Sequence, residues 1–214
     1  MQGRVQRPTA SVLAVSIAAL LVTLAAPSRA AASINLELRP GSQSVFVGSA
    51  FSVDLYAVSD NLTSQTLSAA QVIITWNIAF VQLLGLNNTG TPMLSSGFGP
   101  DPYHLNDSLL DGDAMWIGFA PLGNPVAATP AGTFLTRFNF HANAVTTPTT
   151  LINIAPSGGS PTGQTIVFDG VTANLPVTGT LTGAIVTVVV PDPGGMAVLL
   201  AGALLIGRRR RPGS

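Results

Sequence analysis

Acidic and amide side chains are concentrated between residues 101 and 113. Calcium ions take about six to eight oxygen ligands from carboxylates, carbonyls and water, so this segment is a candidate calcium loop. The two aspartates at its end have the D-x-D spacing but lack the later acidic positions and final glutamate of an EF-hand loop. The sequence therefore favours a solvated turn and predicts no metal site. The candidate residues are Asp101, His104, Asn106, Asp107, Asp111, Gly112 and Asp113.

Groups suited to catalysis are scarce. The single glutamate, Glu37, shares a strand-like segment with Arg39, which favours a solvated cross-strand ion pair. Glycoside hydrolysis needs two carboxylates facing each other across a cleft, and no such pair is apparent. Neither His104 nor His141 accompanies a nucleophile-elbow serine, and His141 is expected at the surface. We predict a non-catalytic protein without a cofactor.

Aromatic rings on an exposed sheet face could stack on sugars. Trp76 alternates with aliphatic residues, which predicts a core position. Trp116 lies between small residues on one strand face, and Tyr56 and Tyr103 are candidates for exposure. With so few aromatic residues, the sequence favours a core or surface role for each ring over a stacking platform.

Residues 175–179 have the sequence Leu-Pro-Val-Thr-Gly, which matches the L-P-x-T-G signal of cell-wall sortases. Sortase attachment would occur through Thr178. In such signals the hydrophobic segment follows closely, whereas here a strand-like stretch at residues 181–190 intervenes. We interpret the motif as a turn between two strands, with sortase attachment as the alternative.

Alternation of apolar and polar residues with a period of two dominates residues 33–190. No window there is convincingly helical. Within residues 134–141, Phe134, Phe138 and Phe140 are expected on one face, with Leu135 and Arg137 on the other. The pattern predicts strands at 34–39, 45–47, 51–57, 70–77, 80–84, 114–119, 134–141, 150–154, 165–168 and 181–190.

Short strands separated by glycine, proline, asparagine and threonine are typical of a sandwich. We predict an all-β fold, an antiparallel β-sandwich of about nine strands with jelly-roll connections. It is flanked by an N-terminal signal helix and a C-terminal hydrophobic helix. The longest irregular stretch, residues 87–113, exceeds ordinary loop length and is expected to be functional or partly mobile.

The charge of this central domain differs from that of the ends. Residues 33–190 contain two arginines and eight acidic residues, a net charge of −6, and the other arginines lie towards the two ends of the chain. An acidic domain repels phosphate backbones, so nucleic acid is excluded as the expected partner. Cysteine is absent, so the domain depends on its own apolar core.

The N-terminus has the organisation of a secretory signal peptide. Arg4 and Arg7 precede an apolar stretch at residues 12–26, and Ala30 and Ala32 are the cleavage candidates. Cleavage would start the mature chain near residue 31 or 33. The alternative is an uncleaved membrane anchor.

The C-terminus combines a proline break, an apolar run at residues 196–206 and an arginine cluster. A helix over residues 194–207 would measure about 21 Å, short of the roughly 30 Å hydrocarbon core. This length favours a temporary anchor in the inner membrane that awaits cleavage. The proposed signal consists of Pro191, Asp192 and Pro193, followed by Arg208, Arg209, Arg210 and Arg211.

The sequence Val-Phe-Val-Gly at residues 45–48, followed by 51–55, 70–77 and 81–84, resembles the first half of a cohesin-like domain. The resemblance covers most of residues 34–190. It implies a nine-stranded jelly roll related to carbohydrate-binding modules, with a dockerin-like module as a possible partner class.

The C-terminal segment resembles the PEP-CTERM sorting signal, which consists of P-E-P, a hydrophobic helix and an arginine cluster. Asp192 stands where glutamate is usual and keeps the carboxylate. The resemblance implies processing by an exosortase in bacteria that make extracellular polysaccharide. Gly194 and Gly195 resemble a glycine-glycine signal served by rhomboid-like proteases, which is the weaker interpretation because of the two prolines.

These observations predict three parts: a signal peptide (1–32), a cohesin-like β-sandwich (33–190) and a sorting signal with a transmembrane helix (191–214). The expected protein crosses the inner membrane and reaches the cell surface or extracellular matrix as an adhesive or binding module. The alternative is a carbohydrate-binding module associated with polysaccharide degradation.

Overall fold

The computed structural model describes residues 33–95, 97–171 and 175–191, and every regular element within them is a β-strand. No helix long and apolar enough to cross a membrane occurs in these ranges. The predicted signal peptide, with Ala30 and Ala32, and residues 192–214 lie outside them. The strands are β1 (Ile34–Arg39), β2 (Ser42–Phe46), β3 (Ala50–Ser59), β4 (Gln65–Leu67), β5 (Ala69–Thr75), β6 (Val81–Asn87), β7 (Asp113–Phe119), β8 (Val126–Ala128), β9 (Thr133–Ala142), β10 (Thr150–Ala155), β11 (Ser157–Gly158), β12 (Gly163–Gln164), β13 (Ile166–Phe168), β14 (Thr178–Thr182) and β15 (Ala184–Val189).

Two main sheets form the domain. The front sheet has the order β14-β1-β3-β9-β6, and the back sheet has the order β13-β5-β10-β15-β2, with β7 also paired to β5. Two small pairs, β4 with β8 and β11 with β12, complete the described strands. The all-β sandwich prediction is confirmed, but the purely antiparallel arrangement is wrong. Strand β1 pairs with β14 in parallel, and β2 pairs with β15 in parallel.

The parallel pairs arise because the chain crosses from the front sheet to the back sheet twice at the same corner, once near each end of the domain. The predicted single strand at residues 181–190 is instead divided at Gly183, with β14 in the front sheet and β15 in the back sheet. The chain makes the same change between β1 and β2, at Pro40 and Gly41. The two crossings contact each other, since the Ile185 amide donates a hydrogen bond to the Gly41 carbonyl at 2.9 Å.

The core lies between the sheets and follows the alternation seen in the sequence. In β1, Ile34, Leu36 and Leu38 are buried while the residues between them are partly exposed. Trp76, which follows β5 directly, meets Phe140 of β9 edge to face, with ring centroids 5.8 Å apart. Each fully buried side chain of this size contributes roughly 1.5–3 kcal/mol to stability. One continuous apolar cluster therefore joins the two sheets.

A β-bulge alters the predicted faces of β9. Leu55 of β3 pairs with Thr136, but the next residue, Tyr56, pairs with Phe134. The extra residue, Leu135, is fully buried, whereas Phe134 is partly exposed on the outside of the front sheet. The prediction that Phe134 shares a face with Phe138 is therefore wrong, because a bulge shifts the alternation by one position.

The long irregular stretch packs against the outside of the back sheet. Leu105 is buried in a small apolar cluster with Ile73, Met115 and Ala155. This contact explains why Ile73 is buried although it lies on the opposite face of β5 from the core residues Val72 and Ile74. Asn106 fixes the stretch further, since its side-chain amide bonds both the N–H and the C=O of Met115.

Substitution of Gly183 tests the corner. A Cβ atom at Gly183 would lie 2.6 Å from the carbonyl oxygen of Ile152, a distance that requires the backbone to shift. Gly183→Ala should lower the free energy of unfolding by about 1–3 kcal/mol, as measured by urea denaturation. Gly41→Ala is the matched control, because a Cβ there meets nothing within 4 Å. Equal stability of the two variants would contradict this account of the crossing.

Candidate functional site

The outer face of the front sheet carries two rows of side chains that cross neighbouring strands. The registers place Arg39 opposite Asp54, Asp54 opposite Arg137, and Arg137 opposite Asn87. In the adjacent row, Glu37 lies opposite Tyr56, which lies opposite Phe134. Both arginines and the glutamate of the described domain thus meet on one face, where cross-strand neighbours interact directly.

Arg137 and Asp54 form a two-pronged ion pair. Arg137 Nε lies 2.7 Å from Asp54 Oδ1, and Nη2 lies 2.9 Å from Oδ2. This geometry is the strong, directional form of the arginine–carboxylate contact. Hydrogen bonding to Asp54 raises the pKa of Arg137 above its already high ordinary value, so the guanidinium stays charged. Among the described residues, its Nη1 has no hydrogen-bond partner.

Arg39 holds the neighbouring row in place. Its Nε and Nη2 donate to Glu37 Oε2 at 3.1 and 2.9 Å, so the pair lies along β1 and the predicted cross-strand arrangement is wrong. Its Nη1 donates to the Ala131 carbonyl at 2.8 Å. The guanidinium carbon lies 4.5 Å from the centre of the Tyr56 ring, within cation–π range. Tyr56 in turn meets Phe134 edge to face at 5.9 Å.

These side chains surround an open cleft of about 330 Å³, near the lower end of the roughly 300–1,000 Å³ range of small-ligand sites. One wall is aromatic and the other carries charged, amide and hydroxyl groups. Such a cleft can bind a small amphipathic group by ring contact and hydrogen bonds. Its lining residues are Asp54, Tyr56, Asn87, Thr89, Phe134 and Arg137.

The other aromatic candidates are not free for stacking on a ligand. Trp76 is buried, as predicted. Trp116 is 0% exposed, and its ring folds over Gly118, so the small neighbour makes room for a core indole and leaves no exposed platform. Tyr103 is partly buried against Gly159 and Gly163. Only Tyr56 among the four rings singled out by sequence lines the cleft.

The acidic segment is organised by Asp101. Its carboxylate accepts the backbone N–H groups of Tyr103, Leu105 and Asn106 at 2.8, 3.3 and 2.8 Å. His104 Nδ1 lies 2.9 Å from Asp107 Oδ2 on the surface. Within the described ranges, no three His, Cys, Asp or Glu residues come together in a way that could hold a metal ion.

The L-P-x-T-G match lies partly inside the sheet. Thr178 and Gly179 begin β14, so their interpretation as a turn is wrong. The Thr178 hydroxyl accepts the Val167 N–H at 2.8 Å, and the Ile34 N–H bonds the Val177 carbonyl at 2.8 Å. The peptide that a sortase would cleave is therefore held between neighbouring strands.

Two further predicted positions are peripheral to the cleft. His141 Nδ1 lies 3.0 Å from Asn143 Oδ1, and its Nε2 lies 3.2 Å from the Gly48 carbonyl oxygen, near the sheet surface. Pro191 is exposed after β15. The remaining sorting residues, Asp192, Pro193 and the cluster from Arg208 to Arg211, lie outside the described residues.

Five lining residues of the cleft were not singled out as a site by the sequence: Asp54, Asn87, Thr89, Phe134 and Arg137. One feature of the sequence could have indicated the site. The only two arginines of residues 33–190, Arg39 and Arg137, occupy polar positions of predicted strands, as Asp54 does. That signal becomes specific only when the strand order and register are known.

Comparisons with known proteins point to the same class of fold. Neither a protein-family model nor a curated protein sequence matches this chain. The solution structure of the cohesin CaCohA2 from Clostridium acetobutylicum is similar, with a TM-score of 0.51 and 13% identity over 75% of this chain and 94% of that chain. The sixth cohesin of scaffoldin B from Acetivibrio cellulolyticus, determined in complex with a dockerin, gives a TM-score of 0.50 and 13% identity over 75% of this chain and 100% of that chain. The described domain thus has a cohesin-like β-sandwich fold, as the sequence resemblance implied.

Asp113 provides a pH test of the acidic segment. Burial, with added repulsion from Asp111 and Asp101, raises the pKa of Asp113 above its ordinary value of 3.8. The carboxyl group therefore loses its proton more easily in the unfolded chain than in the folded domain. Its contribution lowers the free energy of unfolding as the pH rises from about 3.8 through the raised pKa. Asp113→Asn should increase the free energy of unfolding at pH 7 by less than about 1 kcal/mol, because water screens much of the carboxyl group. The gain should disappear below pH 3.8.

Asp60→Asn is the control of opposite sign. The hydrogen bond from the Ser33 hydroxyl is the largest cause that lowers the pKa of Asp60, so its ionised form favours folding and the variant should be less stable at pH 7. Urea denaturation across the pH range measures both effects. If both substitutions changed the free energy of unfolding at pH 7 in the same direction, the opposite pKa shifts assigned to Asp113 and Asp60 would be contradicted.

Proposed function

We propose that this chain is an exported, non-catalytic binding module of the cohesin type, which an exosortase sorts to the cell surface or extracellular matrix. The observation that carries the binding role is the exposed front-sheet face, where two aromatic rings and a two-pronged ion pair surround an open cleft. The similarity to cohesin domains supports a binding scaffold at the level of the fold. The terminal sequence patterns support export and sorting.

The contacts of the titratable groups support a non-catalytic role. Glu37 is bound by Arg39, and Asp54 is bound by Arg137. Asp101 accepts three backbone N–H groups, which stabilises the local chain conformation. A general acid or base must reach the reacting group, whereas these carboxylates are engaged by contacts within the domain.

The expected partners follow from the two halves of the proposal. An exosortase-type enzyme would act on the C-terminal signal while the segment at residues 196–206 rests in the inner membrane. The folded module would then bind an extracellular polysaccharide or a dockerin-like protein module. The similar cohesin of scaffoldin B was determined with a dockerin, which makes that class of protein a reasonable partner to test.

Replacement of Arg208, Arg209, Arg210 and Arg211 by serine tests the sorting signal. Export should persist, but retention in the membrane and delivery to the surface should be impaired, because the cationic cluster no longer resists crossing the bilayer. Cell fractionation measures the change, and four lysines at the same positions are the matched control for positive charge. Unchanged fractionation of the serine variant would overturn the proposed sorting role.

The mature C-terminus, determined by intact mass and sequencing, separates the processing routes. An end near Pro193 supports an exosortase, and an end at Thr178 supports a sortase. Retention of the arginine cluster would show a simple membrane anchor and contradict processing.

The mature N-terminus offers an independent test of export. The backbone nitrogen of Ser33 lies 2.9 Å from Asp60 Oδ2, and the Ser33 hydroxyl donates to the same oxygen at 2.6 Å. Cleavage after Ala32 would turn that nitrogen into an ammonium group and create an ion pair with Asp60. We expect N-terminal sequencing of the secreted protein to begin at Ser33, because Ala30 and Ala32 then occupy the two small positions before the cleavage site.

Asp60→Asn should destabilise the processed chain more than the unprocessed chain, with a difference below about 1 kcal/mol because the pair is exposed. The difference should vanish at high pH as the ammonium loses its proton. Equal losses in both forms at neutral pH would contradict an ion pair formed by processing.

A further inference from the structure

We propose that the front-sheet cleft is a binding site for a neutral saccharide ring. The inference rests on the proposed binding function and identifies both the site and the chemical class of its ligand. Its basis is the combination of an aromatic wall, a wall of hydrogen-bonding groups and local charge balance within one small cleft.

The aromatic wall suits the apolar C–H faces of a sugar. Tyr56 and Phe134 lie opposite each other on adjacent strands, and both line the cleft. Arg39 packs over the Tyr56 ring and is itself fixed by Glu37 and the Ala131 carbonyl. Rings held in this way lose little conformational freedom when a ligand binds.

The opposite wall suits the hydroxyl groups of a sugar. Arg137 and Asp54 present a donor and an acceptor whose mutual geometry is fixed by their ion pair. Asn87 Oδ1 accepts the Thr89 N–H at 2.8 Å, which orients the amide at the rim of the cleft. Sugar hydroxyls both donate and accept hydrogen bonds, so they can satisfy a mixed set of this kind.

Charge selects against an acidic ligand. The cleft face contains Glu37 and Asp54 against Arg39 and Arg137, so its four charges cancel. The remainder of residues 33–190 is acidic, and the whole segment carries a net charge of −6. A polyanion would experience repulsion from this domain, whereas a neutral glycan would not. The cleft volume of about 330 Å³ suits a single ring of the glycan.

The cleft is also rigid for a surface site. Five of its six lining residues belong to β3, β6 and β9, and Thr89 is the second residue after the end of β6. Binding groups supplied by strands are positioned more accurately than groups supplied by loops. The described cleft therefore needs no closure to bring its two walls together.

The test is affinity electrophoresis of the purified full chain in gels that contain defined polysaccharides. Hydroxyethyl cellulose, mixed-linkage β-glucan and galactomannan are the neutral probes, and alginate and polygalacturonate are the acidic probes. At least one neutral probe should retard the chain. Tyr56→Ala and Phe134→Ala should each weaken binding about tenfold, which corresponds to about 1.4 kcal/mol.

Phe119→Ala is the matched control, because Phe119 is 56% exposed on β7 of the back sheet. It should bind like the unmodified chain. Arg137→Gln tests the polar wall without removing a ring and should weaken binding several-fold. It also serves as a second variant if an aromatic substitution prevents folding, which circular dichroism of each variant would reveal.

Three results would overturn the proposal. The first is that no neutral probe retards the chain. The second is that the folded cleft variants are retarded as much as the unmodified chain. The third is that the acidic probes retard the chain more than the neutral probes do. Binding of a dockerin module without retardation by any polysaccharide would also overturn it, while leaving the proposed binding function in place. Fractionation and terminal sequencing test export separately, so a failed glycan assay is distinguishable from a failure of sorting.

Discussion

The bulge between β3 and β9 is the constraint on which both the core and the cleft depend. One extra residue in β9 lets Leu55 pair with Thr136 while Tyr56 pairs with Phe134. Leu135 consequently enters the core, and Phe134 turns outward beside Tyr56. With regular pairing, Phe134 would point into the core and Leu135 would face water beside Tyr56. The bulge therefore satisfies the packing of the interior and supplies the aromatic wall of the cleft at the same time.

The terminal strands support this face from its edge. Strand β1 supplies Glu37 and Arg39, and β14 pairs beside it before the chain crosses to the back sheet. The contact between Ile185 and Gly41 joins the two crossings. Because β1 continues into β2 and β14 continues into β15, the edge of the front sheet is joined to two strands at one side of the back sheet. The position of Arg39 over Tyr56 is thus a consequence of how the sandwich closes.

Sequence patterns predicted the fold better than the site. The period-two alternation agrees with burial in β1 and in the middle of β3, whereas Val58 and Ser59 at the end of β3 are both buried; Trp76 was correctly assigned to the core. The division at Gly183 was not predicted, because residues on both sides of it have equally strong strand preferences. The cleft was not predicted because its residues come from strands far apart in the chain, and Phe134 was assigned to the wrong face. Periodicity specifies alternation along one strand, but it does not specify register between strands.

The sequence by itself determined the all-β class, the general cohesin-like resemblance, most of the inward-facing residues and the acidic character of the domain. It also supplied the terminal patterns on which export and sorting are proposed. Tertiary structure decided which strands are neighbours, where the chain changes sheets and which polar residues meet. Asp54 and Arg137 illustrate the distinction, since their separation in sequence carries no information about the 2.7 Å contact between them. Local side-chain preferences act within a strand, whereas pairing and packing of distant strands place such groups together.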